Sequence, residues 1–280
     1  MQQPASMITV ISNDAKHESS MGSMLLDMGK IKAEDAEHIL RQQKEKGMRF
    51  GEAAQSLGLI TKEDIQEVLA RQFDYPYLQR GQGNFPPELV AAYEPFSEQV
   101  EVLRAVRSQL MLRWFAKGHK ALAIASVNRE EGTSLFAANL AIVFSQLGEQ
   151  TLLVDSNLRN PKQNKIFNLT GKKGLSDILA GRADLKSIEK VASFIDLSIL
   201  QAGTEAPNPQ ELLGREIFLR VAKEAISQFD IVIYDTSAFA AGADAQASVA
   251  RAGGVLLVAR ENTSSLRDLR AVAGQINRIG

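Results

Sequence analysis

At roughly 150 residues per domain, a chain of 280 residues has length for about two domains, one of them with a sizeable core. Thirty-two lysines and arginines stand against 33 acidic residues, a net charge of −1 that leaves no basic excess for a nucleic-acid partner, while 45% hydrophobic and 23% charged residues exclude a disordered or fibrous chain. The absence of cysteine excludes disulfides, thiolate metal sites and cysteine nucleophiles, and the three histidines, His17, His38 and His119, lack carboxylates at metal-ligand spacing.

No apolar run approaches membrane-spanning length and the start has no signal-peptide pattern, so a cytoplasmic chain is expected. Residues 1–19 are polar and aperiodic and read as a mobile arm. An internal repeat follows, in which Gly22, Gly29, Ile31, Leu40 and Gln43 recur 29 residues later as Gly51, Gly58, Ile60, Leu69 and Gln72. Each copy is a short apolar stretch, a stopping glycine and a longer helix; in the second, Thr61 and Asp64 form a capping box ahead of Ile65, Val68, Leu69 and Phe73 on one face. The spacing predicts a small all-α domain over residues 20–80. Turn-formers from Arg80 to Pro87 predict a linker over residues 81–95, with the boundary near residue 85.

Beyond it, Val100, Leu103, Val106, Leu110 and Trp114 predict an amphipathic helix over 96–115. Five short apolar runs then alternate with helical stretches: 121–125, 151–154, 197–200, 231–234 and 255–258. Runs of this kind predict an α/β domain over 96–280 with a mostly parallel sheet covered on both faces. Ligands of such sheets bind outside the strand carboxyl ends. The first exit, residues 126–134, leads into an apolar helix in the setting of a phosphate-binding P-loop, with Ser134 placed to hold magnesium. The second and fourth exits carry Asp155 and Asp235, carboxylates suited to a magnesium ion or its water.

Seven strings stand in a telling order: Glu101-x-x-Arg104-x-x-Arg107, Glu131-Gly132-x-Ser134, Ala138-Asn139-Leu140-Ala141, the segment from Leu152 through Asp155, Leu158 and Arg159 to Pro161, Gly174-Leu175-Ser176-Asp177, Pro207-Asn208-Pro209-x-Glu211-Leu212-Leu213, and Asp235-Thr236. Over residues 96–275 the chain resembles the bacterial tyrosine kinases of exopolysaccharide synthesis, more narrowly the EpsG-type chain-length-determinant kinases. The resemblance implies a P-loop fold and a site using ATP and magnesium. It places Glu131, Gly132, Thr133, Ser134 and Arg159 around the nucleotide, with Ser134, Asp155 and Asp235 on magnesium and the two aspartates catalytic. It also implies an inner-membrane chain-length-determinant partner that recruits the chain to the membrane face, and homo-oligomers joined through Glu101, Arg104 and Arg107; a solvated helix face is the other reading of those three residues.

The sequence departs from that pattern at telling positions. Thr133 stands where the phosphate-binding lysine is expected, Glu130 at the first loop glycine, Asn157 at a second aspartate and Ser237 at a proline. Arg129 could act as a substitute cation. Three outcomes stay open: a kinase, nucleotide binding without efficient transfer, and a silent scaffold. A partitioning-type P-loop ATPase would need loop lysines that are missing here. The tyrosines, Tyr75, Tyr77, Tyr93 and Tyr234, do not form a C-terminal cluster, and the chain stops after a helix where the resemblance implies another strand, so an edge strand is expected to be lacking. The tandem repeat is similar to the N-terminal domain of type II secretion and pilus ATPases, some of which bind cyclic di-GMP. Arg49, Gly51, Gly58 and Gln72 match that ligand motif in the second copy, whereas Ser20 replaces the arginine of the first; a docking module is the alternative.

Overall fold

The computed structural model describes residues 20–72, 78 and 81–279. The expected arm over 1–19, and Phe73, Tyr75 and Tyr77, lie outside them. The chain divides into two compact units, Met1–Tyr75 and Pro76–Gly280.

The first unit is two helix pairs, α1 (Met21–Asp27) with α2 (Ala33–Lys46) and α3 (Phe50–Ser56) with α4 (Lys62–Gln72). Equivalent glycines, Gly29 and Gly58, stop α1 and α3 in the left-handed region that side chains avoid. The copies interlock rather than stack: α1 packs on α4 and α2 on α3. A Cβ on Gly22 would stand 3.1 Å from the Phe50 ring, and one on Gly51 would stand 2.9 Å from the Met21 sulfur. Met21 and Phe50 are themselves repeat equivalents, so one packing contact occurs twice about a local two-fold. Leu25, Ile31, Ile39, Ala53, Ala54, Ile60 and Val68 form the core between them. The expected capping box closes α4, Asp64 accepting from the Thr61 backbone at 2.8 Å.

The second unit begins with α5 (Val90–Tyr93) and α6 (Glu98–Arg113), then β1 (Ala121–Ser126), α7 (Thr133–Ser145), β2 (Thr151–Asp155), α8 (Gln163–Ile166), α9 (Leu175–Leu179), β3 (Glu189–Lys190) and β4 (Leu197–Leu200). It continues with α10 (Pro209–Gly214), α11 (Glu216–Gln228), β5 (Ile231–Asp235), α12 (Asp244–Ala252), β6 (Val255–Val258) and α13 (Leu266–Ile276). The strands lie in the order β3-β4-β2-β5-β1-β6. All five expected strands are present and pair in parallel. The short edge strand β3, antiparallel to β4, has too little apolar sequence to announce itself.

Both faces are covered, which is why the strands read as continuous apolar runs. Leu122 and Ile124 of β1 belong to the core under α5, α6 and α7, whereas Ala121, Ala123 and Ala125 face the core of α9 to α13. Small residues on that second face let α12, with Ala245 and Ala252 in the same core, approach β1 closely.

The expected linker requires correction. Residues 81–95 belong to the second unit, and Leu89, Ala91, Ala92 and Tyr93 are buried in its core. Asn139 of α7 accepts from the Ala91 amide at 2.8 Å and donates to the Glu88 carbonyl at 3.2 Å, while Gln146 donates to the Ala91 carbonyl at 3.0 Å. The Tyr93 hydroxyl accepts from the Phe85 amide at 3.0 Å and donates to the Gln82 carbonyl at 2.9 Å. Turn-formers fix this segment's shape, and α7, some fifty residues later in sequence, supplies its partners.

Candidate nucleotide site

In strand order β1 is separated from β2 by β5, so the chain leaving β1 crosses over β5 through α7 and opens a crevice at the carboxyl ends of all three. The β1–α7 loop shapes its upper wall. Gly132 has φ +87° and Glu130 has φ +63°, so a non-glycine residue holds the left-handed geometry a phosphate loop requires, at a cost of about 1–2 kcal/mol. A Cβ on Gly132 would meet nothing within 4 Å, which leaves the backbone open to a ligand. Gly132 caps α7, and its first turn carries no acidic residue, so amide groups face the crevice unopposed.

The crevice is a cleft of about 590 Å³, a volume in the range of small-molecule sites. Arg129, Gly132, Thr133, Ser134 and Arg159, all expected at a nucleotide, line it together with Glu130, Asn157, Lys162, Thr236 and Ser237. Like Asp155 and Asp235, Glu131 is buried and lies outside that lining. Its buried carboxylate accepts from the Asn128 amide at 3.0 Å and from the Ser264 hydroxyl, tying the loop to the segment after β6. Burial pushes that carboxyl up, but the bonds from Ser264 and Asn128 outweigh it and hold it below its ordinary value. Arg159 sits at the rim with its guanidinium forked onto Asp244, which is buried and holds the arginine firmly in its charged form.

Asp155 and Asp235 are register partners at the ends of β2 and β5, and both are fully buried. Asp155 accepts from the backbone amides of Asn157 at 3.2 Å, Lys162 at 3.0 Å and Gln163 at 3.0 Å. Gln163, also fully buried, donates its side-chain amide to Asp235 at 2.8 Å and to the Ser134 carbonyl at 3.0 Å. It thus links the three residues expected at magnesium. Burial and the Asp235 charge push Asp155 well above the ordinary carboxylate range against its three backbone bonds. Burial pushes Asp235 up to about 6, opposed by the hydrogen bond from Gln163, the nearby Ser134 side chain and the Lys162 charge. Both carboxyls are thus displaced upward, the direction expected for like charges buried side by side.

The donor set fits magnesium: two carboxylates and a hydroxyl are hard oxygens, and Asp235 Oδ1 is buried without a hydrogen-bond partner. Ser134, Asp155 and Asp235 would hold the ion, with phosphate oxygens and water completing its shell.

The other expected sites lie apart from this crevice. On α6, Arg104 pairs with Glu101 of the same helix, and Arg107 donates to the Val143 carbonyl of α7 at 2.6 Å. Arg107 is thus on the packed side of α6 and not on a solvated face. In the first unit Arg49, Gly58 and Gln72 are exposed, whereas Gly51 is buried against Met21. Tyr93 and Tyr234 are buried, and Tyr75 and Tyr77 lie outside the described residues.

Sequence reasoning missed Gln163, Lys162 and Asp244. The first two follow Pro161 directly, so position after the second strand was the available signal; Asp244 meets Arg159 from 85 residues away and left none.

No family model matches the chain. It is 35% identical over 170 residues to tyrosine-protein kinase YwqD of Bacillus subtilis, covering 61% of this chain and 72% of that protein. It is 30% identical over 193 residues to tyrosine-protein kinase wzc of Salmonella typhimurium, covering 69% of this chain but only 27% of that longer protein. The solved kinase domain of the Escherichia coli tyrosine kinase ETK superposes with a TM-score of 0.68 at 27% identity, covering 72% of this chain and 78% of that domain. With a mostly parallel P-loop sheet, a crevice at its switch point, and a relative of this identity covered over more than two thirds of its length, the chain belongs to the bacterial tyrosine kinases.

Proposed function

We propose that the cleft binds Mg-nucleotide and transfers phosphoryl groups poorly, and that the chain serves exopolysaccharide synthesis and chain-length control as a tyrosine-kinase-family component. One observation carries the binding reading: two register-paired carboxylates are fully buried beside a P-loop serine, and one of their oxygens has no partner. Such a like-charged pair is unfavourable without a cation or proton between its members. Magnesium, when bound, would neutralise charge on the phosphoryl oxygens. The chain's own contributions are the amide groups at the start of α7, which face phosphate, and Ser134, Asp155 and Asp235, which orient around the ion.

Poor transfer follows from what the cleft lacks. Thr133 offers no charge to the β- and γ-phosphates, Asn157 stands in for a carboxylate, and Glu130 adds like charge to the lining. One missing charge-assisted contact weakens binding by about 1.5–3 kcal/mol. Among the described tyrosines, Tyr93 and Tyr234 are both buried away from a kinase. The resemblance supports a cytoplasmic chain brought to the inner membrane by a chain-length-determinant partner. No described helix is long and apolar enough to cross a membrane.

Calorimetric titration with Mg-ATP and Mg-ADP tests the reading, beside labelled-phosphate incorporation. Measurable binding with little incorporation is expected. Absence of binding at millimolar nucleotide refutes the first half, and rapid tyrosine labelling abolished by Asp155→Ala refutes the second.

For the repeat unit we read a docking module. Gly22 and Gly51 are accounted for by the close approach of Phe50 and Met21, without any ligand. Cyclic di-GMP that binds tightly to the full chain, and is lost in Arg49→Ala, would overturn this.

A further inference from the structure

The cleft holds three cations among its lining residues, and they are not equivalent. Arg159 is forked onto buried Asp244. Arg129 is exposed and is followed at once by Glu130, whose charge opposes it. Lys162 differs from both. It caps α8 on the segment leaving β2, and its backbone amide is fixed to Asp155 at 3.0 Å. It lines the cleft, and its side chain makes no ion pair among the described residues. A lysine is a compact charge on a flexible stem, suited to meeting a phosphate from a fixed backbone anchor.

A second observation concerns the other wall. Ser237 lies two residues beyond β5, is buried and lines the cleft, and its hydroxyl has no hydrogen-bond partner. Its neighbour Thr236 is anchored, donating its hydroxyl to the Ile124 carbonyl at 3.0 Å, so the segment is held in place. A buried hydroxyl left unpaired beside an open cleft is a donor in want of an acceptor.

We propose that Lys162, together with the Ser237 hydroxyl, contacts the terminal phosphate of a bound nucleoside triphosphate, supplying from the β2 and β5 side the charge that loop position 133 lacks. This rests on the nucleotide reading of the cleft. A contact to the terminal phosphate favours triphosphate over diphosphate, so the ratio of the two affinities is the quantity to measure.

Titrations of the full chain with Mg-ATP and Mg-ADP would compare wild type, Lys162→Gln, Ser237→Ala, the double variant Lys162→Gln/Thr133→Lys, and Lys165→Gln as an exposed lysine of α8 that does not line the cleft. Lys162→Gln should weaken Mg-ATP by about tenfold to a hundredfold and Mg-ADP by less than about threefold. Ser237→Ala should weaken Mg-ATP several-fold, roughly the worth of one neutral donor. Thr133→Lys should restore the preference for ATP in the Lys162→Gln background, and Lys165→Gln should match wild type. Equal losses for both nucleotides, or an unchanged ratio in Lys162→Gln, would overturn the assignment while leaving the cleft a nucleotide site. Wild type that binds neither nucleotide refutes the cleft reading and this inference with it. Thermal midpoints serve as the folding control, because only the backbone of Lys162 contacts Asp155.

Discussion

Replacing Asp235 by asparagine removes one charge from the buried pair while keeping its shape and its ability to accept the Gln163 bond. In the folded chain Asp235 titrates at about 6, against an ordinary value of 3.8. Between those values the folded chain holds more protons than the unfolded one, so stability falls as pH rises through the window. Asp155, displaced in the same direction, adds to the slope. Two pH units at roughly 1.36 kcal/mol each put the Asp235 contribution at about 3 kcal/mol at neutral pH, undiminished by solvent because the group is fully buried. Asp235→Asn should therefore be more stable than wild type by about 2–3 kcal/mol at pH 7.5 and by only about 1 kcal/mol near pH 4.5, the difference vanishing below the ordinary value of 3.8, where the carboxyl is protonated in both states.

The single tryptophan makes the measurement specific. Trp114 stacks on His119 at 3.7 Å, donates to the Ala121 carbonyl at 2.8 Å and would collide with any side chain on Gly254, so its fluorescence reports the α/β unit. For a unit of this size the expected gain is a midpoint roughly 4–12 °C higher at pH 7.5. Adding Mg-nucleotide should stabilise wild type and not the variant. A difference that is the same at pH 4.5 and 7.5, or a variant less stable at pH 7.5, would refute the reasoning.

Three further outcomes are expected. Glu130→Gly relieves the left-handed strain at φ +63°, should raise the thermal midpoint by the equivalent of up to about 1 kcal/mol once the added chain entropy is subtracted, and should tighten Mg-ATP in calorimetry by removing a like charge. Asn139→Ala unpairs the Ala91 amide and the Glu88 carbonyl, should cost about 2–3 kcal/mol in denaturant unfolding, and should abolish hydrogen-exchange protection at Ala91. Arg107→Ala should lower the thermal midpoint by losing its bond to Val143, whereas Glu101→Lys, at an exposed position, should lower the mass seen in sedimentation without moving the midpoint if α6 joins neighbouring copies.

Much of the architecture was legible because it is written in periodicity. The five parallel strands are apolar runs forced by burial on both faces, and the repeat showed itself through glycines and isoleucines at a fixed offset. What stayed hidden depends on pairs distant in sequence. Residues 81–95 carry the composition of a linker and become part of the core only because Asn139 and Gln146 pin them to α7. Glu131 sits within a nucleotide-loop string, yet its carboxylate turns away toward Ser264, 133 residues later. Arg104 and Arg107 share a motif but divide between an intrahelical pair and a helix-to-helix bond.

The loop departures gain meaning from this geometry. Thr133 and Glu130 change charge, but the backbone keeps the left-handed turns at residues 130 and 132, and the Glu131 clamp to Asn128 and Ser264 holds the loop from outside the cleft. At the floor, Gln163 joins Ser134 to Asp235 while its own amide group caps Asp155, so the carboxylates stay oriented although Asn157 stands where a second aspartate was expected. The cleft has therefore lost charge and kept its shape. Loss of shape would take a rebuilt loop to mend, whereas loss of charge is mended by one cation placed within reach, at position 133 by substitution or at Lys162 as the chain already stands.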